Sequence, residues 1–457
     1  MNTMEPLQFT SEIRGLAALR IFFGFYNNPI LTSSNILDKH GNAVSIAIPF
    51  FGKKTPPDAI IFYGAENNRK VYAKWDDLRM TALWPISAKP NTAQQKIRHN
   101  YMCLSGKPHR DIAVQIEAPL NRTQITKLSV EMHAVIKPVI DKVFTQDTFD
   151  LVKFHKDLSI QCALNLLFGE RNAERALHIG HLVDRLNLSN YLISNRILKY
   201  NIPGLPFHRL LRQAEDVRDT LMGWIKEAAG QPANTNLRTS VLNMADADGQ
   251  VFSFDFKIGC LGTLVWAAID TPSLGALWTT ILLSRNPETA AKLHDELKAA
   301  GFSKKTSTEE LNNLPYLNGV VLESLRLSPP ATFIPLKSVR ETSIGSIKVP
   351  ANTAIYLCPR ETQRDPTVYP DPEMFRPERW DAKTAPDAYE FIAFSGGVRR
   401  CPGATFATIY IKMVIAMLVE RGGLELLTRE SIAVRSVPTM EPLKPVFARP
   451  SASGQFC

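Results

Sequence analysis

The ten residues Phe394-Ser-Gly-Gly-Val-Arg-Arg-Cys-Pro-Gly403 carry the most specific chemistry in the chain. A thiolate that ligates a metal needs a lowered pKa, and Cys401 stands just before an apolar helix expected to begin near Pro402. The positive end of that helix and its free N–H groups favour an anion. Glycines let the loop turn tightly enough to aim N–H groups at the sulfur. Phe394 is placed to shield it from water, and Arg399 adds a fixed cation. A tetrahedral zinc site fits poorly, because Cys358 is 43 positions away and no C-x-x-C occurs. A lone cysteine in such a turn is ordinarily a small buried hydrophobe. The complete loop favours a ligand.

Two further constellations need a reason to exist. Asp270-Thr271-Pro272 lies inside 258–284, 27 residues in which Asp270 is the only charge. An acid beside a hydroxyl in an apolar helix is costly unless it is used or satisfied. Either Thr271 bonds back to a carbonyl and the helix bends at Pro272, or the pair moves a proton. Glu323-Ser-Leu-Arg326 places opposite charges on one helical face. The same spacing recurs at Glu66–Arg69, Glu215–Arg218, Glu361–Arg364 and Glu373–Arg376, so spacing alone decides nothing.

The spacing F-x-x-G-x-R-x-C-x-G resembles the haem-binding loop of the cytochrome P450 family, with all five fixed positions present. The resemblance implies heme b (iron protoporphyrin IX), with Cys401 as iron ligand and metal site, Phe394 and Gly403 beside it, and Arg399 on a propionate. Gly106-Lys-Pro-His109 resembles the start of the helix that supplies a propionate partner, which makes His109 a candidate. Where the family often has Arg four positions later, this chain has Ala113. Lys337 matches a usual Arg position in a following strand. Arg326 lies 75 residues before Cys401, and Pro377-Glu-Arg-Trp380 supplies Arg379. By resemblance, Glu323, Arg326 and Arg379 form a buried network that locks the haem-binding core. Ala267-Ala-Ile-Asp270-Thr271 resembles the oxygen-binding motif A-G-x-D/E-T, with Ala268 in place of Gly. Asp270 and Thr271 would then be catalytic, delivering protons so that the O–O bond of dioxygen splits.

The implied function is a monooxygenase that uses dioxygen to oxidise a small, mostly apolar organic substrate. Alternatives are the same haem used without dioxygen (peroxygenase, isomerase or dehydratase) and a non-catalytic haem sensor or carrier. No nucleotide-binding glycine motif occurs, and 56 residues follow Cys401. Electrons are therefore expected from a separate protein, a ferredoxin or a flavoprotein reductase. Residues 78–110 hold six Lys/Arg and 185–214 hold five, neither with an acid. By resemblance parts of both flank the substrate entrance, which suits an acidic group on the substrate or anionic lipid. Ordinary solvated surface remains the stronger reading of both. No nucleic-acid partner is expected.

These residues require a scaffold. The pattern is mainly α with a small β region, as in the P450 fold, with haem between a long central helix and the cysteine-loop helix. One haem-thiolate domain is expected over 1–457. Its β-rich part draws on about 43–75, 332–365 and the C-terminal segment; its helical part spans about 108–330 and 402–420. Strands are read at 43–50, 59–63, 343–350 and 354–358, and helices at 132–144, 157–168, 212–229, 258–284 and 404–419. At 457 residues and 45% hydrophobic content, the chain is too apolar to be disordered. A surplus of 53 Lys+Arg over 44 Asp+Glu is mild for its size. Six cysteines read as one ligand plus five incidental thiols, Cys457 among them, in a reducing cytoplasm. Asp270 at its middle makes 258–284 a poor membrane span, so only peripheral membrane contact is expected.

Overall fold

A computed structural model describes residues 9–47, 57–81, 92–192, 194–195, 199–232, 235–380, 386–436, 439–452, 454 and 456. Seven helices position the chemistry: α1 (Gly106–Glu117), α2 (Leu151–Phe168), α3 (Ala173–Tyr191), α4 (Pro206–Lys226), α5 (Phe254–Arg285), α6 (Pro315–Leu327) and α7 (Ala404–Glu420). α5 runs through the centre. Its 32 residues are capped by Ser253, whose hydroxyl accepts from Phe256 N, and are apolar all round because α2, α3, α4 and α7 pack against it. By length and hydropathy α5 passes as a membrane span, yet two thirds of its most apolar window is buried inside the protein. Such a helix is also what the core of a large globular protein requires.

The main sheet joins distant parts of the chain. β1 (Ser11–Arg14), β2 (Ala43–Ala47), β3 (Ala59–Phe62) and β4 (Leu78–Met80) combine with β5 (Ile334–Ser338) and β6 (Ala354–Leu357) in the order β1-β2-β3-β6-β5-β4. β1 pairs parallel with β2 and β3 with β6; the other neighbours are antiparallel. A short hairpin, β7 (Val434–Ser436) with β8 (Met440–Pro442), reaches α5 through Trp278, whose indole N–H donates to Met440 O at 2.9 Å.

Most element types agree with the sequence and several boundaries move; the single strand read at 343–350 is instead a hairpin of Thr342–Ile344 with Ile347–Val349, turning at Gly345. α2 starts six residues before the expected 157, because Asp150 accepts from Val152 N and caps it. α4 begins at Pro206 rather than 212, since proline suits a first helical turn. α7 begins at Ala404, with Pro402 still in the loop. The strand expected at 43–50 is described as far as Ala47; 48–50, like Cys457, fall outside the described residues. β1 and α3 have no separate place in the sequence reading. The buried residues of α3 at Ala176, Ile179, Gly180, Val183 and Leu186 do follow helical spacing.

Candidate functional site

The cysteine loop is built on its own backbone. Cys401 N donates to Phe394 O at 2.8 Å, closing the loop across the half-buried Phe394. Gly397 takes φ +58, which glycine adopts without strain, and a Cβ at Gly396 would press to 3.0 Å from the Tyr72 ring. Ser395 holds φ +59 as a non-glycine residue, with its hydroxyl 3.1 Å from Tyr72 Oη. The Gly403 N–H lies near enough to the Cys401 sulfur to favour its anion, and a Cβ on Gly403 would sit 3.8 Å from it. Burial nevertheless pushes the Cys401 thiol up, against Gly403 N–H and the Arg400 charge. The helix terminus therefore does not ionise this thiol unaided, as the sequence had suggested. A metal cation at the sulfur deprotonates it outright. The Cys401 side chain keeps accessible surface, so the sulfur is open to a ligand.

Buried cationic and aromatic groups gather beside this loop. Arg399 donates to Leu104 O at 2.6 Å and Met102 O at 3.4 Å, and stacks 5.0 Å above the Trp75 ring. Among the described residues, its Nε and the indole N–H of Trp75 are buried donors with no partner. Burial lowers Arg399 to about 10, and it remains cationic at neutral pH. His109, buried on α1, stacks on Tyr101 at 5.8 Å. Burial first, then the Arg399 charge, lowers its pKa to about 4, so it is neutral. Tyr101 is raised by burial and by Cys260 of α5 and Cys401 together, so central helix and cysteine loop converge on it. Lys337 lies on β5 opposite Arg79, one step from the Leu78–Ser338 pair. Leu78 O in turn accepts from Arg399 at 3.5 Å. Haem fits this donor set: a thiol for iron, and orphaned buried donors with a buried arginine for carboxylates. Trp75 and Tyr101 had no signal in the sequence.

Glu323, Arg326 and Arg379 come together as expected. Arg326 grips Glu323 with two N–H groups at 2.8 and 2.9 Å, both side chains fully buried. Arg379 Nε adds a bond at 2.8 Å, Arg376 N one at 3.0 Å and Trp380 Nε1 one at 2.9 Å. The rest of the Arg326 fork is used on the carbonyls of Gln363, Pro372 and Met374. In the other four E-x-x-R spacings the arginine pairs elsewhere: Arg69 with Asp387, Arg218 with Asp255, Arg364 with Glu373 and Arg376 with Asp371. Context had selected the right pair.

On α5 the candidate acid and hydroxyl face different neighbours. Ala267 is exposed in the middle of a buried helix, and Thr263 and Thr271, one turn away on the same face, are half-buried. This face borders open space. The Thr271 hydroxyl donates back to Ala267 O at 3.0 Å. Asp270 is 1% exposed and turns into the protein. Its Oδ1 accepts from Lys156 Nζ of α2, and its Oδ2 accepts from Thr439 Oγ1 at 2.8 Å. Lys156 also reaches Asp184 of α3 at 3.2 Å. None of Lys156, Asp184 or Thr439 was marked by the sequence, where they lie at least 86 positions from Asp270.

Residues 106–453 match the cytochrome P450 family. A putative cytochrome P450 139 of Mycobacterium tuberculosis is 25% identical over 82% of this chain and 87% of its own length. The flavonoid-6-hydroxylase of Mentha piperita is 23% identical over 91% of this chain and 86% of its own. Among solved structures, retinoic acid bound cyanobacterial CYP120A1 superposes with TM-score 0.78 at 19% identity, covering 93% of this chain and 96% of that one. That structure speaks to the fold.

Proposed function

The chain belongs to the cytochrome P450 family and is a haem-thiolate monooxygenase, and from that premise we propose that it works with dioxygen, using Asp270 and Thr271 to deliver protons. When bound, the haem supplies the capacity to reduce dioxygen and pass one oxygen atom to an organic substrate. Cys401 would hold the iron. Arg399, His109 and the Trp75 indole would serve the propionates of heme b, with Lys337 on the adjoining strand. Phe394 and Gly403 keep water and bulk away from the sulfur. The network on Glu323 fixes the loop from behind.

One observation carries the dioxygen reading: Asp270 and Thr271 adjoin on the central helix, and Thr271 is on its accessible face. The hydroxyl is placed to hold a proton at the cavity, and the carboxyl beside it is placed to resupply one. A second reading has support as well. Thr271 is bonded to Ala267 O and both Asp270 oxygens are engaged, an arrangement suited to a peroxide-driven enzyme that needs no relay. Thr271→Ala separates the two. After a screen of fatty acids and terpenoids by Soret shift, the variant should lose reductant-driven product and keep peroxide-driven product. Retention of both would remove the relay.

The redox partner meets a defined face. Arg400 and Val398 are exposed on the cysteine loop and Val114 is exposed on α1, a mixed basic and apolar surface suited to an acidic electron carrier. Leu16 and Phe23, both exposed, flank an open groove with Leu19 and Arg20 on the first helix, Gly15–Asn27. With exposed Leu192 and Ile202 they support peripheral contact with a membrane by an otherwise cytoplasmic protein.

A further inference from the structure

Lys156 occupies an unusual position among buried charges. It extends from α2 into a site closed by α3, α5 and the residues leading into β8, and only 6% of it is exposed. Its one ammonium meets two carboxylates, Asp270 of α5 and Asp184 of α3, of which 1% and 8% are exposed. The next charges, Arg435 and Glu441, are paired with each other. One cation between two anions in a low-dielectric site leaves a surplus negative charge, which burial penalises heavily. A single proton removes the surplus. The ammonium and the proton then divide the two carboxylates between them, and whichever carboxylate the ammonium leaves takes the proton.

We propose that Lys156 is a positioning residue whose ammonium exchanges with a proton between Asp270 and Asp184, so that Asp270 becomes a proton donor for dioxygen only when Lys156 has moved to Asp184. The proposal rests on the dioxygen reading above.

In the structure the ammonium is on Asp270, and Asp184 is the longer contact at 3.2 Å. Burial and the Asp270 charge push the Asp184 carboxyl up, against the Lys156 ammonium. The same two aspartates outweigh burial and keep Lys156 raised, so the proton that moves is not its own. Lysine suits the exchange, since its ammonium is a point charge on a flexible stem, free of the fixed fork of arginine. Thr439 suits it as well: its hydroxyl donates to Asp270 Oδ2 now and can accept once Asp270 carries a proton. The backbone need not follow. Ser159 Oγ donates to Ile269 O and Ser273 Oγ to Asp270 O, each at 2.7 Å, pinning the helix on both sides of Asp270. Asp184 lies on α3, which precedes the basic loop expected near the substrate entrance, so substrate entry has a route to the proton donor.

Two isosteric variants of the holoenzyme test this. The first readout needs no turnover: infrared spectra show whether a buried carboxylic acid C=O band is present. Asp184→Asn should lose the band by removing the acid. Asp270→Asn should lose it too, although Asp184 is intact, because Lys156 moves to Asp184 and displaces its proton. Persistence of the band in Asp270→Asn overturns the exchange. The second readout is reductant consumption with a surrogate ferredoxin and its reductase. Dioxygen leaves as hydrogen peroxide with two electrons and two protons, or as two waters with four of each. In Asp184→Asn Lys156 has no second carboxylate, so the yield of water should fall by at least ~10-fold against peroxide, with a larger solvent isotope effect. Asp184→Glu should restore it, and peroxide-driven oxidation of guaiacol should be unchanged in both Asp184 variants. A purely structural role would move both activities together. An unchanged water yield in Asp184→Asn overturns the proposal. If the wild type consumes no dioxygen with reductant, the dioxygen reading fails instead, and the infrared result stands by itself.

Discussion

Two of the protein's buried charge networks, on Glu323 and on Asp270, are built on opposite principles. Around Glu323, the carboxylate accepts five donors, from Arg326, Arg379, Trp380 and Arg376 N, and the guanidinium of Arg326 also holds three carbonyls. Cations outnumber anions, each donor has a fixed direction, and among the described residues no second carboxylate shares the fork. Around Asp270, one flexible ammonium serves two carboxylates and a threonine hydroxyl supplies the rest. The first network has one arrangement available and the second has two. A locked network belongs behind a cofactor loop that must not move; a divided one belongs beside a helix where protons must.

The contrast is open to measurement, beginning where the effect is largest. Arg326→Met leaves Glu323 buried and short of its strongest partner, and should cost ~3–5 kcal/mol in urea unfolding of the holoenzyme, with loss of bound haem. A cost below that of a surface substitution would mean the network locks nothing. Acid should reach the second network first. His155, next to Lys156 and bonded to Thr280 of α5, is lowered by burial to about 3. Its folded pKa is below its unfolded one, so the neutral ring is favoured in the fold and stability falls as pH drops below about 6.5. Between pH 6.5 and 4 the loss attributable to this ring should approach ~3 kcal/mol, and His155→Gln should blunt it. Identical acid curves for the two proteins would remove His155 from the account. The smallest effect is expected from Asp270→Asn. Lys156 keeps Asp184 as a one-to-one partner, so the cost should be only ~1–2 kcal/mol. A loss as large as that of Arg326→Met would show Asp270 to be as rigidly held as Glu323.

Legibility in the sequence divides along the same line. The cysteine loop and the Glu323 network depend on short, fixed spacings and a local context, so their residues could be named before their contacts were seen. The residues that meet at this site, Asp184, Lys156 and Thr439, lie 86, 114 and 169 positions from Asp270, and no spacing encodes such a meeting. Asp270 itself was visible as an expense in an apolar helix; what satisfies it was not. Boundaries were missed where a side chain overrode composition, as Asp150 does by capping α2. The expected acidity of Cys401 came from its helix terminus. Burial outweighs that terminus, a balance that depends on how closely the fold surrounds the sulfur. His109 and Arg399 were correctly brought to one neighbourhood, while Trp75 and Tyr101 enter it only through the packing of separate loops.

The measurement that bears most directly on the central claim is the reduced, carbon monoxide difference spectrum of the wild type and of Cys401→Ala. A thiolate from Cys401 gives the wild type a characteristically red-shifted Soret band, and the variant loses it. A wild type without that band, or a variant that keeps it, would contradict the assignment of Cys401 as the iron ligand.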